Sequence, residues 1–216
     1  MPIIKKGSVE DLQWCIWDLR GEAFVPGALH DGFFDGERYR AISHAEVRAQ
    51  YIGARKALQT LTGNRGTLSF MSNGKPVYSE NGEVSLSHTI GCAAACFHPS
   101  LPCGIDIEHQ DRVFSERVIQ RFAHQAEMDE LLRIGAVHYW CAKEAVYKAN
   151  GSPGLLFNTH IRVYWNDLAN LQDKGSDRET PTIMTGYAIT ENKKRWYLQN
   201  QTINKVVLST AFLIDK

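Results

Sequence analysis

The sequence predicts an α+β protein, and three patterns carry that expectation. Strand-like runs fill both ends of the chain, Ser43 to Gly63 keeps helical spacing, and a second helical stretch ends at Asn150. From about Ile161 onward, short strand-like runs alternate with turns, as in an antiparallel sheet.

Taken in order, residues 12 to 19 (Leu-Gln-Trp-Cys-Ile-Trp-Asp-Leu) are rich in strand formers and are expected to give the first strand. Gly21 to Gly36, with its glycines, proline and acids, reads as a loop or short helix. Ser43 with Glu46 three residues on has the form of a capping box, so a helix should begin there. Val47, Tyr51, Ala54, Leu58 and Leu61 form its apolar stripe, and Gly63 ends it. Thr67 to Met71 reads as a strand, Ser72 to Pro76 as a turn, and Val84 to Thr89 as another alternating strand. Ile90 to Phe97 is a continuous apolar run, short enough for a fully buried strand, and His98 to Pro102 breaks it. Ser115 should cap a helix carrying Arg117 and Arg121, and Gln125 to Met128 should open another. Asn150-Gly151, with Pro153 beyond, ends the central helix. The runs Ile161 to Trp165, Thr182 to Ile189, Trp196 to Gln199 and Lys205 to Leu213 complete the sheet, and Asn170 to Thr180 reads as a surface loop.

Composition narrows the function. The chain of 216 residues can bury a core, and 24 basic residues balance 24 acidic ones, so no global charge invites nucleic acid. No apolar run is long enough to span a bilayer, and the first residues lack a secretion signal, so a cytoplasmic location is expected. The five cysteines form no C-x-x-C pair, and their spacing with His88 or His98 fits no usual zinc pattern. Reduced, structural thiols are expected.

The chemistry concentrates in two stretches. Gly104-Ile105-Asp106-Ile107-Glu108 alternates isoleucine with carboxylate, so Asp106 and Glu108 should share one face of a strand while the isoleucines enter a core. Paired acids on an ordered strand call for compensation, and Mg2+ supplies it with carboxylate and phosphate oxygens as ligands. Trp140 to Lys148 adds Glu144 and, one turn on, Lys148. A metal held by three acids beside a lysine is a phosphate-handling site.

The pair G-I-D-I-E and W-x-x-K-E-A-x-x-K resembles the signature of the 4′-phosphopantetheinyl transferases, of the larger single-chain, surfactin-synthetase-activating type. Gly74-Lys75-Pro76 and Ser85-Leu86-Ser87-His88-Thr89 precede it in the family's order, so the likeness covers roughly residues 40 to 165. The family pattern around His88 is N-x-S-H-S, and this chain keeps a hydroxyl at both departures, Ser85 and Thr89.

That resemblance implies two similar α/β halves in a pseudo-twofold arrangement, each a mostly antiparallel sheet packed with helices. Residues 1–102 would be the coenzyme A side and residues 103–216 the metal and carrier-protein side, with the site in the cleft between them. It implies transfer of the phosphopantetheine arm of coenzyme A to a serine of an apo acyl or peptidyl carrier protein, with release of adenosine 3′,5′-bisphosphate. Asp106, Glu108 and Glu144 would hold Mg2+, or Mn2+ in its place. Arg48, Arg55, Lys75, Ser87, His88 and Lys148 would bind the coenzyme, and Glu144, Lys148 and His88 would act in catalysis. Glu144 is the first candidate to take the serine proton, directly or through a metal-bound water. Glu127 matches an acidic position near the family's metal. Arg112, Arg117 and Arg121, beside Val113 and Phe114, would dock an acidic helical carrier. A chain holding both halves would work as a monomer. Two rivals use the same residues: a metal-dependent phosphate hydrolase, and a relative that binds without catalysis.

Overall fold

A computed structural model describes residues 2–20, 29–166 and 183–215 of the chain. In chain order the first half holds β1 (Ile3–Val9), β2 (Leu12–Asp18), α1 (Gly36–Ala41), α2 (Ala45–Thr62), β3 (Leu68–Phe70), β4 (Pro76–Tyr78), β5 (Glu83–Thr89) and β6 (Cys92–His98). The second holds β7 (Cys103–His109), α3 (Glu116–Phe122), α4 (Met128–Ile134), α5 (Ala136–Asn150), α6 (Phe157–His160), β8 (Ile161–Trp165), β9 (Met184–Thr190), β10 (Arg195–Ile203) and β11 (Val206–Asp215). The strands form antiparallel sheets in the orders β1-β2-β6-β5 and β7-β11-β10-β9-β8, with β3-β4 a separate hairpin. The expected α+β architecture of two sheet-rich halves is what the chain adopts.

Alternation along the strands builds the layers. On β2, Leu12, Trp14 and Ile16 join Ile105, Ile107, Leu208 and Phe212 in an apolar layer between the two sheets. Cys15 points the other way, into the layer under α2 with Ala57 and Leu58. The far face of the second sheet carries α5, through Ala142, Ala145, Val146 and Ala149 against Ile161, Ala188, Trp196 and Ala211. Each half is therefore a sheet with one long helix laid across it.

The halves meet where β5 lies beside β7, in the same direction. No backbone ladder joins these two strands in the sheet order. Instead the Ser85 hydroxyl accepts the Ile105 amide at 3.2 Å, and the Ser87 hydroxyl accepts the Ile107 amide at 3.2 Å. Two serines one side-chain period apart thus satisfy alternate amides of an edge strand.

Several expectations shift in register. β1 precedes the strand expected to come first, and it hides in sequence because the adjacent, exposed Lys5 and Lys6 break the apolar alternation. The box at Ser43 does not form: His44 is the N-cap and makes no side-chain cap bond, which puts Glu46 one position too early to answer it. Val47 is exposed, and the buried side of α2 is wider than the stripe, taking in Ile52, Ala57 and Arg55. Ile90 is exposed because Ile90-Gly91 turns the β5–β6 hairpin, so the buried strand starts at Cys92. Ser115 is an N-cap by position without a capping bond. Gly63 and Gly151 end α2 and α5 as expected, Gly151 in the left-handed region with φ 66°. All five cysteines are free and buried. Of the Gly21–Gly36 segment, the described part contains one 3₁₀ turn at Asp31–Phe33. The expected Asn170–Thr180 loop lies outside the described residues. Among those residues no helix is long and apolar enough to cross a membrane.

Gly104 sets the depth at which α5 sits. A Cβ there would lie 2.0 Å from the Ala145 carbonyl oxygen and 2.8 Å from the Ala149 amide nitrogen, both backbone atoms that cannot swing aside. Gly104→Ala is expected to push α5 off β7 and destabilise the fold by about 2–3 kcal/mol, measured by urea denaturation. An unchanged midpoint would contradict this account.

Candidate active site

Because Gly104 lets the helix come so close, α5 presents Glu144 and Lys148 to the carboxylate face of β7. As the alternation predicts, Ile105 and Ile107 are buried in the inter-sheet layer. Asp106 is itself only 6% exposed, so the pair is not the wet face of an edge strand.

Lys148 is tied to three oxygens: Asp106 Oδ1 at 2.7 Å, the Ser87 hydroxyl at 3.1 Å and the Ile105 carbonyl at 3.2 Å. Burial works against its charge, but Asp106 and then Glu144 outweigh it and hold the ammonium above its ordinary value. Ser87 in turn donates to Asp106 Oδ1 at 2.8 Å. With two bonds accepted and one donated, its hydroxyl is fully engaged, and it faces the carboxylate; Ser87 is not part of the lining of the neighbouring cavity. Thr89 repeats the pattern one side-chain period on, donating to Glu108 Oε1 at 2.5 Å. The hydroxyls at 85, 87 and 89 have matched spacing with residues 105 to 108 on the next strand, a signal present in the sequence but meaningful only once β5 is known to lie beside β7.

Glu144 differs from its neighbours. Its half-buried carboxylate accepts no hydrogen bond among the described residues, and burial, followed by repulsion from Asp106, lifts its pKa to about 6. The folded state therefore prefers the protonated acid. The resulting penalty is absent below the ordinary carboxylate range and full above about pH 6. Glu144→Gln is expected to stabilise the protein at pH 8 by about 1–2 kcal/mol and to make no difference near pH 4, as read from thermal unfolding at both pH values. Equal melting of the two proteins at pH 8 would overturn this.

Beside these groups a cavity of about 430 Å³ opens between α2, the β3–β4 hairpin, β5 and α5. Arg55, Lys75, His88 and Lys148 line it, with Tyr51 and Phe70 as aromatic walls. Arg55 is buried, its guanidinium carbon 3.4 Å from the Tyr51 ring centre, and it makes no ion pair with a described residue. Burial draws its pKa down to about 10; Nη1 donates to the Tyr51 carbonyl at 3.0 Å, and Nε has no hydrogen-bond partner among the described residues. A buried cation that no described anion answers is suited to take an anionic ligand. Lys75 pairs with Glu83 at 3.1 Å, and Asn73 of the same turn bonds the Gly151 carbonyl at 3.0 Å, tying the G-K-P turn to the end of α5. His88 stands at the rim, and burial and Lys148 lower its pKa against the pull of Asp106 and Glu108. Arg48 does not reach the cavity: its guanidinium bonds the Ile42 carbonyl at 2.6 Å and lies over Tyr39. Arg38, also on the lining and stacked on Phe70, has no motif that would have singled it out.

The Glu127 carboxylate is engaged by groups other than the Asp106 cluster. Its buried carboxylate takes the Lys143 ammonium at 2.6 Å, the Val163 amide at 2.8 Å and the His124 amide at 2.7 Å. Lys143 points to a different side of α5 from Glu144, because adjacent helical residues diverge by about 100°.

As they stand, no three His, Cys, Asp or Glu side chains among the described residues are grouped closely enough to hold a metal ion. Asp106 and Glu144 fit a divalent cation: one is a buried carboxylate on a rigid strand, the other a neighbouring carboxylate without a hydrogen-bonding partner. Glu108 is diverted, its Oε2 taken by Arg112.

The model of the 4′-phosphopantetheinyl transferase superfamily matches residues 102–211, just over half of the chain. The chain belongs to this superfamily. Membership carries transfer of phosphopantetheine from coenzyme A to carrier proteins. The match takes in β7, α5 and most of β11, hence Asp106, Glu108, Glu144 and Lys148, while the transferase's cavity residues Arg55, Lys75 and His88 lie before it. No curated protein is similar enough to this transferase to be matched.

Proposed function

We propose that this transferase is of the larger single-chain type, acting as a monomer in the cytoplasm on apo acyl or peptidyl carrier proteins, with Mg2+ or Mn2+ as cofactor. The observation that carries the reading is one cavity lined by Arg55, Lys75, His88 and Lys148, with Lys148 bonded to Asp106. In this reading residues 1–102 hold coenzyme A and residues 103–216 hold the metal and meet the carrier.

Arg55 binds the 3′-phosphate end of coenzyme A, and Lys75, His88 and Lys148 bind its pyrophosphate. Ser87 orients Asp106 and Lys148, and Arg48 shapes α2 without touching ligand. A divalent cation on Asp106 and Glu144, with Glu108 as third acid, would neutralise the pyrophosphate charge as its bond breaks. The carrier serine oxygen bonds to the phosphorus that bears the pantetheine arm. The bond to the bridging oxygen breaks, and its electron pair leaves on adenosine 3′,5′-bisphosphate. Glu144, with its raised pKa, or a water beside it takes the serine proton. Arg117 and Arg121, exposed on α3, with exposed Val113, receive the acidic carrier.

Intact-mass spectrometry of an apo carrier protein incubated with the transferase, coenzyme A and Mg2+ tests this. A gain of one phosphopantetheine, absent with EDTA or a serine-less carrier, is expected. Release of adenosine bisphosphate with no gain on several carriers would favour a hydrolase, and no reaction at all a silent binder.

A further inference from the structure

We propose that Arg112 is a built-in counter-ion that occupies Glu108 in the metal-free protein and must release it before Glu108 can serve as a third metal ligand. The inference rests on the metal reading above. Both oxygens of Glu108 are engaged: Oε1 accepts from the Thr89 hydroxyl at 2.5 Å and the His109 amide at 3.1 Å, and Oε2 takes the Arg112 guanidinium. A metal approaching Asp106 and Glu144 would therefore meet a third acid already neutralised.

Arg112 is placed to let go. Its backbone is fixed by the amide bond to the His109 carbonyl at 3.0 Å, and the preceding Gln110 amide is held by the Lys205 carbonyl at 2.8 Å, so only the side chain needs to move. Its guanidinium already rests on an aromatic shelf, 4.7 Å from the Phe114 ring centre and 5.3 Å from that of Trp140. That shelf supports the cation without any help from Glu108. The Arg112 side chain is 41% exposed, which makes the pair a weak one that a divalent cation can displace. Trp140 lies one turn before Glu144 on α5, so the shelf and the unpartnered acid share a helix face. Thr89 keeps Glu108 aimed at the site when Arg112 leaves.

The test is the affinity of the full chain for Mn2+ alone, read from the free-ion electron paramagnetic resonance signal. Arg112→Gln is expected to bind Mn2+ about two- to fivefold more tightly than the unchanged protein, and Arg112→Lys to bind it nearly as the unchanged protein does. In a Glu108→Gln background, Arg112→Gln should bring no gain. A merely structural arginine would give weaker or unaltered binding, and circular dichroism checks that each variant folds. Equal Mn2+ affinity for the unchanged protein and Arg112→Gln, or a gain that survives Glu108→Gln, overturns the counter-ion role and leaves the metal reading intact. Absence of Mn2+ binding in every variant overturns both.

Discussion

Asp106→Ala is expected to lower the rate of carrier modification about a thousandfold while the protein stays folded. Asp106 is the one residue that touches both Lys148 and Ser87, and it stands closest to Glu144 in charge. On the metal reading proposed above, its removal takes away the strand ligand for a divalent cation, and it costs Lys148 its charged hydrogen-bond partner. The fold survives because the apolar layers flanking β7 rest on Ile105 and Ile107, not on the carboxylate. Asp106→Asn should lose nearly as much activity, since it keeps an acceptor for Ser87 but no charge for the metal. The initial rate of mass gain on the carrier, with far-ultraviolet circular dichroism as the control, measures both. Undiminished turnover in the alanine variant would remove Asp106 from the site.

The second large effect is on stability. Lys143→Ala is expected to cost about 3–5 kcal/mol, and Glu127→Ala about the same. Lys143 is fully buried, and its three protons go to Glu127 at 2.6 Å, the Ile161 carbonyl at 2.9 Å and the Phe157 carbonyl at 3.0 Å. Removing Glu127 strands the Lys143 ammonium with no water to take it, and removing Lys143 leaves the buried Glu127 carboxylate only the more distant Arg162 guanidinium at 3.9 Å. Two amides or two carbonyls would lose their bonds as well. Replacing both together, with Lys143→Met and Glu127→Leu, should recover much of the loss, because no lone charge remains. Urea denaturation of the two single variants and the double variant forms the cycle that decides it. Additive losses would mean that the pair is not acting as a pair.

These two cases also mark how far the sequence could be read. Asp106 and Glu108 were legible because a strand period of two sorts side chains by face, and the G-I-D-I-E run displays that period without interruption. Glu144 and Lys148 were legible because they share a helical turn. Glu127 was matched to an acidic position near a metal because a buried carboxylate that caps a 3₁₀ turn looks, as letters, like one that faces a site; the helix packing that brings Lys143 over it, which gives the carboxylate its partner, is not written in the spacing. Arg112 read as part of a carrier-docking surface, and its pairing with Glu108 went unseen, because the partner is four residues away across a turn, a spacing that in sequence belongs to helices. Arg48 and Arg55, seven residues apart on α2, were singled out together, yet only Arg55 lines the cavity, while the Arg48 guanidinium turns to the Ile42 carbonyl and the Tyr39 ring. The hydroxyls of Ser85 and Thr89 stood out in sequence only as departures from a pattern. In the fold they satisfy the Ile105 amide and Glu108, which explains why a hydroxyl is what each position retains.

The Ser87 hydroxyl pins β7 to β5, bonds Asp106 and receives Lys148, so one atom reports on the docking of the halves and on the order of the site at once. Its partners come from both halves, so the arrangement around Asp106 and Lys148 lasts only while β5 and β7 stay side by side. Any opening of that seam would scatter the acid and the ammonium in the same event that parts the sheets.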